Sequence, residues 1–435
     1  MAAPPILDVL WQGERLAGRV VVPGANDFLY APDWLRDGYD LSPLVVPFGE
    51  RAHRNHSAAF DFLPGFLSDC LPDQWGRRIL LRDLPGEAFA PKPIQMLAWV
   101  GRRGLGALGF QPALVDPRHA VWEQIAPALL TREAQAVLQD LPATAFPHLR
   151  QAGTAGGAFP KAVVALTRDG LLLFGGDVAS VALREARARL GILKLDCEDD
   201  PSRPSTDGRM ESAYLRMAGQ AGIEVAKAEV LVEPATGGGR MRHHLFVERF
   251  DVQPGQAERL HQVSLAGLRE NFNLRYAHLL DTTKRLTASH RELLEAVRRM
   301  MFNVRAANAD DHGKNHAFLF RAHTREWSLS PAYDLTLNYA SENLFQGLSV
   351  ATFGPAPRRN ALLEVAFAFG VTEREFDQID AQVAEAIGRW PECAREAGLP
   401  PEQEARARRA HERMRESLGA GSPARKRRGA RRRLF

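Results

Sequence analysis

The segments Asn308-Ala-Asp-Asp-His-Gly-Lys-Asn315 and Ser330-Pro-Ala-Tyr-Asp-Leu335 gather acidic and amide side chains into two short loops. Asp310 and Asn315 are five positions apart, which is the spacing of the base and the metal-holding asparagine in a kinase catalytic loop. Asp334 then stands where a second metal-binding aspartate is needed. Phosphoryl transfer requires one carboxylate for the hydroxyl proton and hard oxygen ligands for Mg²⁺. The two loops therefore predict such a site, with Asp310 as the base and Asn315 and Asp334 as magnesium ligands.

Two histidines in the first loop, His312 and His316, allow a different interpretation. They would form a His/carboxylate metal site for hydrolysis together with three nearby acids, Asp310, Asp311 and Asp334. Histidines four positions apart share a face only on a continuous helix, and Gly313 between them favours a loop. In the phosphoryl-transfer interpretation, His312 orients the loop by hydrogen bonding, and Asp311 is a solvated neighbour.

Two features farther upstream are typical of a nucleotide site. Gly153-Thr-Ala-Gly-Gly-Ala-Phe-Pro-Lys161 is a glycine-rich loop, whose backbone N–H groups can cradle phosphates. Lys194 lies in a short apolar strand, and a kinase-type site pairs such a lysine with a helix glutamate, for which Glu211 is placed. A plain turn and an edge-strand lysine facing water are the alternatives for each feature alone. The order of all the parts along the chain predicts an ATP site.

The overall composition excludes several classes of protein. The chain has 435 residues, of which 45% are hydrophobic and 25% charged, as in an ordinary soluble globular protein with two or three domains. No apolar run approaches about 18 residues, so no membrane span is expected, and the N-terminus lacks the pattern of a secretory signal. Three widely separated cysteines predict neither disulfides nor a zinc site, and they favour the reducing cytoplasm.

The net charge of +4 conceals a strongly basic C-terminus. Seven of the last eleven residues are Lys or Arg, and without them 49 basic and 52 acidic residues leave a formal charge of −3. We expect residues 421–435 to form a disordered basic tail that is attracted to nucleic acid or to any acidic surface. A solvated tail that only aids solubility is the alternative.

These motifs resemble the HipA family of serine/threonine-kinase toxins from bacterial type II toxin–antitoxin modules, over nearly the whole chain. The stretches similar to that family's N-terminal subdomain are Leu7-Asp-Val-Leu-Trp-Gln-Gly-Glu-Arg15, Phe62-Leu-Pro-Gly-Phe-Leu-Ser-Asp-Cys-Leu-Pro72 and Gly104-Leu-Gly-Ala-Leu-Gly-Phe110. Gly156-Gly-Ala-Phe-Pro-Lys-Ala162 resembles its phosphate loop and Val247-Glu-Arg-Phe-Asp251 its hinge. Residues 309–315 and 330–334 resemble its catalytic and metal motifs.

The resemblance implies a role for individual residues. It assigns Asp310 as the catalytic base, Asn315 and Asp334 as Mg²⁺ ligands, and Lys194 as the ATP lysine. Thr154 falls where the family has an autophosphorylated loop residue, whose phosphorylation ejects the loop and switches the kinase off. The implied nucleotide-binding residues come from the loop, the strand lysine, the hinge and the catalytic motifs: Gly156, Gly157, Ala158, Phe159, Pro160, Lys161, Lys194, Glu248, Arg249, Phe250, His312, Gly313, Lys314, Asn315, Tyr333 and Asp334.

The resemblance also implies cofactors and partners. ATP and Mg²⁺ are the expected cofactors, and a small helix-turn-helix antitoxin similar to HipB is the expected partner. The implied substrate is a protein such as an aminoacyl-tRNA synthetase, for example glutamyl-tRNA synthetase. DNA contacts are expected through the antitoxin complex and the basic tail. Two departures from the family pattern, Phe159 in the loop and Asp196 just after the ATP lysine, bear on substrate identity more than on chemistry.

The residues and the resemblance together predict an α/β (α+β) chain with a two-lobed, protein-kinase-like fold. We expect an N-terminal β-rich subdomain in residues 1–117, an ATP-binding part similar to a kinase N-lobe in 118–253, and a mainly helical catalytic C-lobe in 254–420. The predicted function is serine/threonine-protein kinase toxin. The main alternative is a catalytically idle scaffold that binds an antitoxin and DNA.

Overall fold

The computed structural model of the chain describes residues 6–21, 26–83, 91–114, 121–151, 157–175, 187–199, 206–235, 239–252, 258–337, 347–350 and 357–419. Within these ranges, none of the helices combines the length and the apolar character that crossing a membrane requires. Thr154, Gly156 and the basic tail, all of which the sequence singles out, lie outside the described residues.

The strands of the described residues group into three sheets. They are β1 Ile6–Trp11, β2 Arg15–Val21, β3 Asp27–Tyr30, β4 Leu108–Gln111, β5 Glu123–Gln124, β6 Lys161–Leu166, β7 Leu172–Phe174, β8 Arg189–Lys194, β9 Ala228–Glu233, β10 Arg242–Glu248, β11 His261–Ser264, β12 Ala317–Arg321 and β13 Glu326–Leu329. The orders in the sheets are β3-β2-β1-β4, β5-β7-β6-β8-β10-β9 and β11-β12-β13. All of the strand pairs are antiparallel.

The longest α-helices of the described residues lie in the second half of the chain. In chain order, the α-helices of these residues are α1 Pro32–Asp37, α2 Gly65–Ser68, α3 Gln74–Asp83, α4 Pro93–Val100, α5 Pro127–Leu138, α6 Pro147–Gln151, α7 Arg209–Gln220, α8 Leu265–Arg269, α9 Tyr276–Thr287, α10 His290–Arg305, α11 Arg359–Ala368, α12 Glu373–Gly388, α13 Trp390–Glu396 and α14 Pro401–Gly419. The predicted mixed α/β organisation, β-rich toward the N-terminus and mainly helical toward the C-terminus, is confirmed. The domain boundaries stay predictions.

The region between residues 58 and 83 is helical but interrupted. The chain forms a short 3₁₀ turn over Ala58–Phe60, then α2, and then α3. Pro64 and Pro72 stand between these pieces, and proline lacks the N–H that a helix interior needs. The interruption places Asp69 and Asp73 in a turn, from which their carboxylates reach other parts of the molecule.

The six-stranded sheet positions two lysines of the predicted nucleotide site. Strand β8 lies between β6 and β10, so it is an interior strand. Lys194 on β8 is paired in register with Lys161 on β6 and with Leu245 on β10. Directly opposed residues of neighbouring strands point to the same face of a sheet. The register therefore places both ammonium groups on one face, side by side.

The helical part carries the predicted catalytic motifs, which follow the well-packed helix α10. Ser289 is the N-cap of helix α10, and its side chain accepts a hydrogen bond from Glu292 N at 3.3 Å. Its apolar residues recur every three or four positions and are buried, which fixes the helix against the core. The chain passes from α10 through residues 308–315, which we name the catalytic loop after its predicted role, into β12. The loop is therefore anchored at both ends by regular structure.

Candidate active site

The centre of the site is an ion cluster around Lys194. Its Nζ donates hydrogen bonds to Glu211 Oε2 at 2.5 Å and to Asp334 Oδ1 at 2.6 Å. Glu211 lies in the first turn of α7, and Asp334 lies 140 residues from the lysine in the second motif. The structure therefore brings together the strand lysine, the helix glutamate and the second aspartate that the sequence suggested. The alternative of an edge-strand lysine facing water is wrong.

Electrostatics in this cluster favour a charged lysine and a charged Asp334. The Lys194 ammonium holds the pKa of Asp334 well below its ordinary value, although burial opposes this. Burial disfavours the charge on Lys194, but the carboxylates of Asp334 and Glu211 outweigh it and raise the pKa of the lysine. Burial raises the pKa of Glu211. The cluster is thus a positive centre held between two acids, Glu211 from α7 and Asp334 from the second motif.

The catalytic loop is closed by hydrogen bonds around the Asp310 carbonyl. Asn315 Nδ2 donates to Asp310 O at 2.8 Å, and His312 N donates to the same oxygen at 3.0 Å. Because that carbonyl can only accept, the amide nitrogen of Asn315 must face it, and Oδ1 faces the other way as a possible metal ligand. The Asp310 side chain is exposed, and partial desolvation together with Asp334 and Asp311 raises its pKa.

Asp311 is not the solvated neighbour that the sequence suggested. It is buried, and its carboxylate accepts hydrogen bonds from Tyr276 Oη and from His316 Nε2. Asn303 Nδ2 donates to Tyr276 Oη at 3.2 Å, which extends the network into α10. A buried carboxylate with several donors fixes the loop from below. The prediction failed because spacing alone does not show which of two adjacent acids faces the core.

The two histidines of the loop occupy different environments. His316 is buried in the Asp311 network, whereas His312 is exposed. Among the described residues, the group whose possible metal-ligand atoms converge consists of Asp196, Asp207 and His243. The Asp196 carboxylate there is bonded to Arg240 at 2.5 and 2.7 Å, so it neutralises an arginine. This geometry does not support the hydrolase interpretation of the loop.

The described part of the glycine-rich loop covers its last five residues, 157–161. Gly157 has φ +112°, and a Cβ at this position would lie 2.3 Å from Lys161 Nζ, so the ammonium lies directly against the loop backbone. Burial and the nearby Lys194 lower the pKa of Lys161 to about 8. Pro160 is buried, and Ala158 and Phe159 are exposed. The loop therefore presents backbone and a lysine toward the Lys194 cluster.

The predicted hinge is largely committed to contacts within the protein. Arg249 is buried in an ion pair with Asp251 at 2.6 Å, and its Nη2 also donates to Gly104 O at 3.3 Å. The backbone N–H groups of Glu248 and Arg249 are bonded inside the protein as well. Phe250 packs against Tyr333 with ring centroids 5.5 Å apart. Phe250 is therefore the hinge residue whose side chain suits the predicted adenine contact, and Arg249 instead joins the hinge to the N-terminal subdomain.

The predicted catalytic motifs are also bonded to Asp73, a residue that the sequence analysis did not select. Lys314 Nζ donates to Asp73 Oδ1 at 2.8 Å, and Tyr333 Oη donates to Lys314 O at 2.6 Å. Gly313, within the catalytic loop, is itself buried. Asp73 is the residue that sequence reasoning missed. It directly follows Pro72, where the quoted resemblance ended, and an acid after a helix-breaking Leu-Pro pair was the only local signal.

Comparison with known proteins adds the evolutionary context of this geometry. The profile of the HipA-like C-terminal domain matches residues 153–415, and that of the HipA N-terminal domain matches residues 7–111. The chain belongs to the HipA family. The first profile alone covers more than half of the chain and includes the glycine-rich loop and both catalytic motifs.

A solved HipA structure shows the same fold at low sequence identity. HipA from Shewanella oneidensis MR-1, solved with HipB and operator DNA, matches with a TM-score of 0.66 and 17% identity, covering 96% of this chain and 100% of that chain. At this identity the likeness concerns the fold. The Helicobacter pylori proinflammatory kinase CtkA matches with a TM-score of 0.36 and 10% identity, over 53% of this chain and 85% of that chain. The CtkA match is too weak to support a functional statement.

Proposed function

We propose that this HipA-family protein is a serine/threonine-protein kinase that transfers the γ-phosphoryl group of ATP to a hydroxyl group of another protein. The observation that carries the proposal is the Lys194 cluster, in which a strand lysine bonds both a helix glutamate and the motif aspartate Asp334. A kinase site pairs its phosphate-binding lysine in this way and keeps a metal-binding aspartate beside it. The exposed Asp310 lies in the same electrostatic environment.

The residues present fit Mg²⁺ as the metal. Asn315 Oδ1 and the Asp334 carboxylate are hard oxygen ligands, which Mg²⁺ prefers. Asp334 Oδ1 accepts a hydrogen bond from Lys194, so Oδ2 is the oxygen suited to bind a metal. Glu211 Oε1 is buried without a hydrogen-bond partner within the described part of the chain, which indicates room for a further donor in the site. When bound, Mg²⁺ would neutralise charge on the phosphates and on the transferred group.

In the proposed reaction, each side chain has a separate task. Lys194 and Lys161 bind phosphate oxygens, and Glu211 keeps Lys194 in place. Asp310 orients the substrate hydroxyl and accepts its proton while the hydroxyl oxygen bonds to the γ-phosphorus. The bond between that phosphorus and the bridging oxygen breaks, and its electron pair leaves with ADP. Backbone N–H groups of the glycine-rich loop would hold the phosphates in line for this displacement.

We extend the proposal to a role as a toxin in a toxin–antitoxin module. Membership of the HipA family supports it, as does the likeness to a HipA that was solved with HipB and operator DNA. The proposed partners are a helix-turn-helix antitoxin, DNA through that antitoxin, and a protein substrate such as an aminoacyl-tRNA synthetase. We also propose that Thr154 is autophosphorylated and that this inhibits the kinase. The proposed location is the cytoplasm.

Transfer of label from [γ-³²P]ATP tests the proposed chemistry. Wild-type protein should label itself or a lysate protein on Ser or Thr in the presence of Mg²⁺. Asp310→Asn removes the charge of the base at nearly constant shape, so the rate should fall by about 10²- to 10⁴-fold. Asp61→Asn is the matched control, because Asp61 pairs with Arg77 at 2.7 Å outside the site. Equal rates for wild type and Asp310→Asn would refute the role of Asp310.

The same assay decides between the kinase and an idle scaffold. A scaffold would bind antitoxin and DNA and would show no ATP-dependent labelling with any protein. Expression of the wild type should arrest growth when no antitoxin is present, and expression of Asp310→Asn should not. Growth arrest by both proteins would show that toxicity does not depend on phosphoryl transfer.

A further inference from the structure

The turn between α2 and α3 contacts both loops of the candidate site. Asp73 Oδ2 accepts a hydrogen bond from Gly157 N at 2.7 Å, and Asp73 Oδ1 accepts one from Lys314 Nζ at 2.8 Å. These partners are 84 and 241 residues away in sequence. One carboxylate of the N-terminal subdomain thus joins the glycine-rich loop to the catalytic loop.

Trp75, two positions farther along, adds two contacts with the glycine-rich loop. Its backbone N donates to Gly157 O at 3.3 Å, and its indole Nε1 donates to Lys161 O at 2.9 Å. The side chain is 2% exposed, so the core of the protein fixes its position. The described part of the loop is consequently held at both ends by residues 73–75.

The same turn is attached to the helical part of the protein. Asp69 Oδ2 accepts from Ser264 N at 2.7 Å, and Asp69 Oδ1 accepts from Ser264 Oγ at 2.9 Å. Ser264 in turn caps α8 by accepting from Gly267 N at 3.0 Å. Gly65 of α2 approaches Gly267 so closely that a Cβ on Gly65 would lie 2.1 Å from Gly267 O. The turn therefore has a fixed position relative to the catalytic lobe.

Charge strengthens the contact that Asp73 makes. Burial raises the pKa of Asp73, but Lys314 and the Gly157 N–H outweigh burial and hold it below its ordinary value. Burial likewise opposes the charge on Lys314, and Asp73 and Asp69 outweigh it and raise the pKa of the lysine. Both partners are thus charged at neutral pH. Hydrogen bonds to charged groups are stronger than those between neutral groups.

We infer that Asp73 is a positioning residue that keeps residues 157–161 of the glycine-rich loop seated against the catalytic loop before nucleotide binds. The N-terminal subdomain thereby sets the affinity of the site for nucleotide. For the identity of the ligand, the inference rests on the proposed function. Asp73 touches no reacting atom and acts through its hydrogen bonds with Gly157 and Lys314. Without it, part of the nucleotide-binding free energy is used to seat the loop, and the apparent affinity falls with the seated fraction.

The test compares Asp73→Asn with Asp61→Asn in the full chain. Asp61 is a matched control, because it lies in the same subdomain, forms an ion pair with Arg77, and has a side chain 28% exposed against 26% for Asp73. Three quantities are measured. They are the hydrogen exchange of residues 157–161 without nucleotide, the calorimetric affinity for Mg·ADP, and the separate kcat and KM for ATP.

We expect Asp73→Asn to speed exchange at residues 157–161 about tenfold and to raise Kd for Mg·ADP and KM for ATP about tenfold. The value of kcat should stay within about threefold of wild type, because the groups that carry the chemistry are intact. Asp61→Asn should change none of these quantities. Lys314→Met should speed exchange at residues 157–161 as Asp73→Asn does, and exchange in the double variant should be less affected than the sum of the two, since both act through one contact.

Unchanged exchange and unchanged Mg·ADP affinity in Asp73→Asn would overturn the inference. A loss of kcat with unchanged KM would overturn it too, because Asp73 would then act in the chemistry. If Asp73→Asn does not fold, Lys314→Met decides, and unaltered exchange at residues 157–161 in that variant counts against the inference. A wild-type chain that binds no Mg·ADP refutes the proposed function instead, and the exchange experiment without nucleotide still decides the role of Asp73.

Discussion

The catalytic loop and the glycine-rich loop face the same ion cluster but are held in different ways. The catalytic loop is fixed within its own lobe, where the buried Asp311 accepts hydrogen bonds from Tyr276 and His316. The described part of the glycine-rich loop is held from another subdomain, by Asp73 and Trp75. One half of the site therefore depends on local burial, and the other half depends on how a distant segment is packed.

The difference has separate consequences for the stability of the fold and for the control of the site. A loop built on a buried carboxylate cannot move without exposing unsatisfied polar groups, so it is rigid. A loop segment held by three hydrogen bonds to Asp73 and Trp75 can be released at smaller cost. The predicted base Asp310 and the predicted metal ligand Asn315 are on the rigid side, and the predicted phosphate-binding backbone is on the releasable side.

The largest effect is expected from Asp311→Ala, which removes the anchor of the rigid loop. Tyr276 Oη and His316 Nε2 would lose their acceptor in the core, and the free energy of unfolding should fall by about 3–5 kcal/mol. Urea denaturation measures this loss. Asp61→Ala, which breaks a partly exposed ion pair, should cost no more than about 1 kcal/mol. Similar losses for the two variants would show that the Asp311 network does not anchor the loop.

Lys194→Met tests the centre that both loops face. The substitution leaves the Glu211 and Asp334 carboxylates without their shared cation, so the pKa of Asp334 should rise and phosphate binding should weaken. We expect phosphoryl transfer to fall by about 10²-fold or more. Lys227→Met, at an exposed lysine of the same sheet region, is the control and should keep the wild-type rate. Activity assays at saturating ATP make the comparison, and a fully active Lys194→Met would contradict the assignment.

The two loops also differ in how far the sequence predicts them. Asp310, Asn315, Lys194 and Asp334 were predicted to form one site from spacing, strand pattern and order, and the structure joins Lys194 to Asp334 at 2.6 Å. Their individual catalytic roles stay predictions. The link from Asp73 to Lys314 spans 241 residues, and no local pattern encodes the partner of such a contact. The burial of Asp311 was likewise invisible, because it depends on the tertiary packing beneath the loop.

A smaller effect on nucleotide affinity should follow from a change of pH that titrates Lys161, beside the glycine-rich loop. Burial and Lys194 lower the pKa of Lys161 to about 8. Its ammonium is therefore mostly charged at pH 7 and mostly neutral at pH 9, and only the charged form attracts phosphate. The affinity for Mg·ATP should fall roughly tenfold across this interval if nucleotide binding keeps the lysine protonated. Calorimetry at several pH values measures the decline. In Lys161→Met the affinity should be weaker and nearly flat over this range, and a decline as steep as that of wild type would assign the titration to another group.

The smallest effect on either loop is expected from deletion of residues 421–435. All of the proposed catalytic groups lie upstream, so phosphoryl transfer should not change. The deletion removes the seven clustered positive residues, so the binding of DNA and tRNA should weaken and depend less on salt. The slope of the logarithm of the binding constant against the logarithm of the salt concentration should become shallower by about 0.9 for each phosphate contact that is lost. Binding at two salt concentrations with and without the tail measures this. Identical affinity and slope for both chains would show that the tail adds no attraction.

Hydrogen exchange with and without Mg²⁺ and a non-hydrolysable ATP analogue tests the central claim most directly, because it reads both loops in one experiment. The account predicts that saturating analogue slows exchange in residues 157–161, around Lys194 and in residues 310–315 together. Asp310→Asn should show the same slowing, since it removes the base and leaves the nucleotide-binding groups in place. A folded wild-type chain in which none of these segments responds to the analogue would contradict the account.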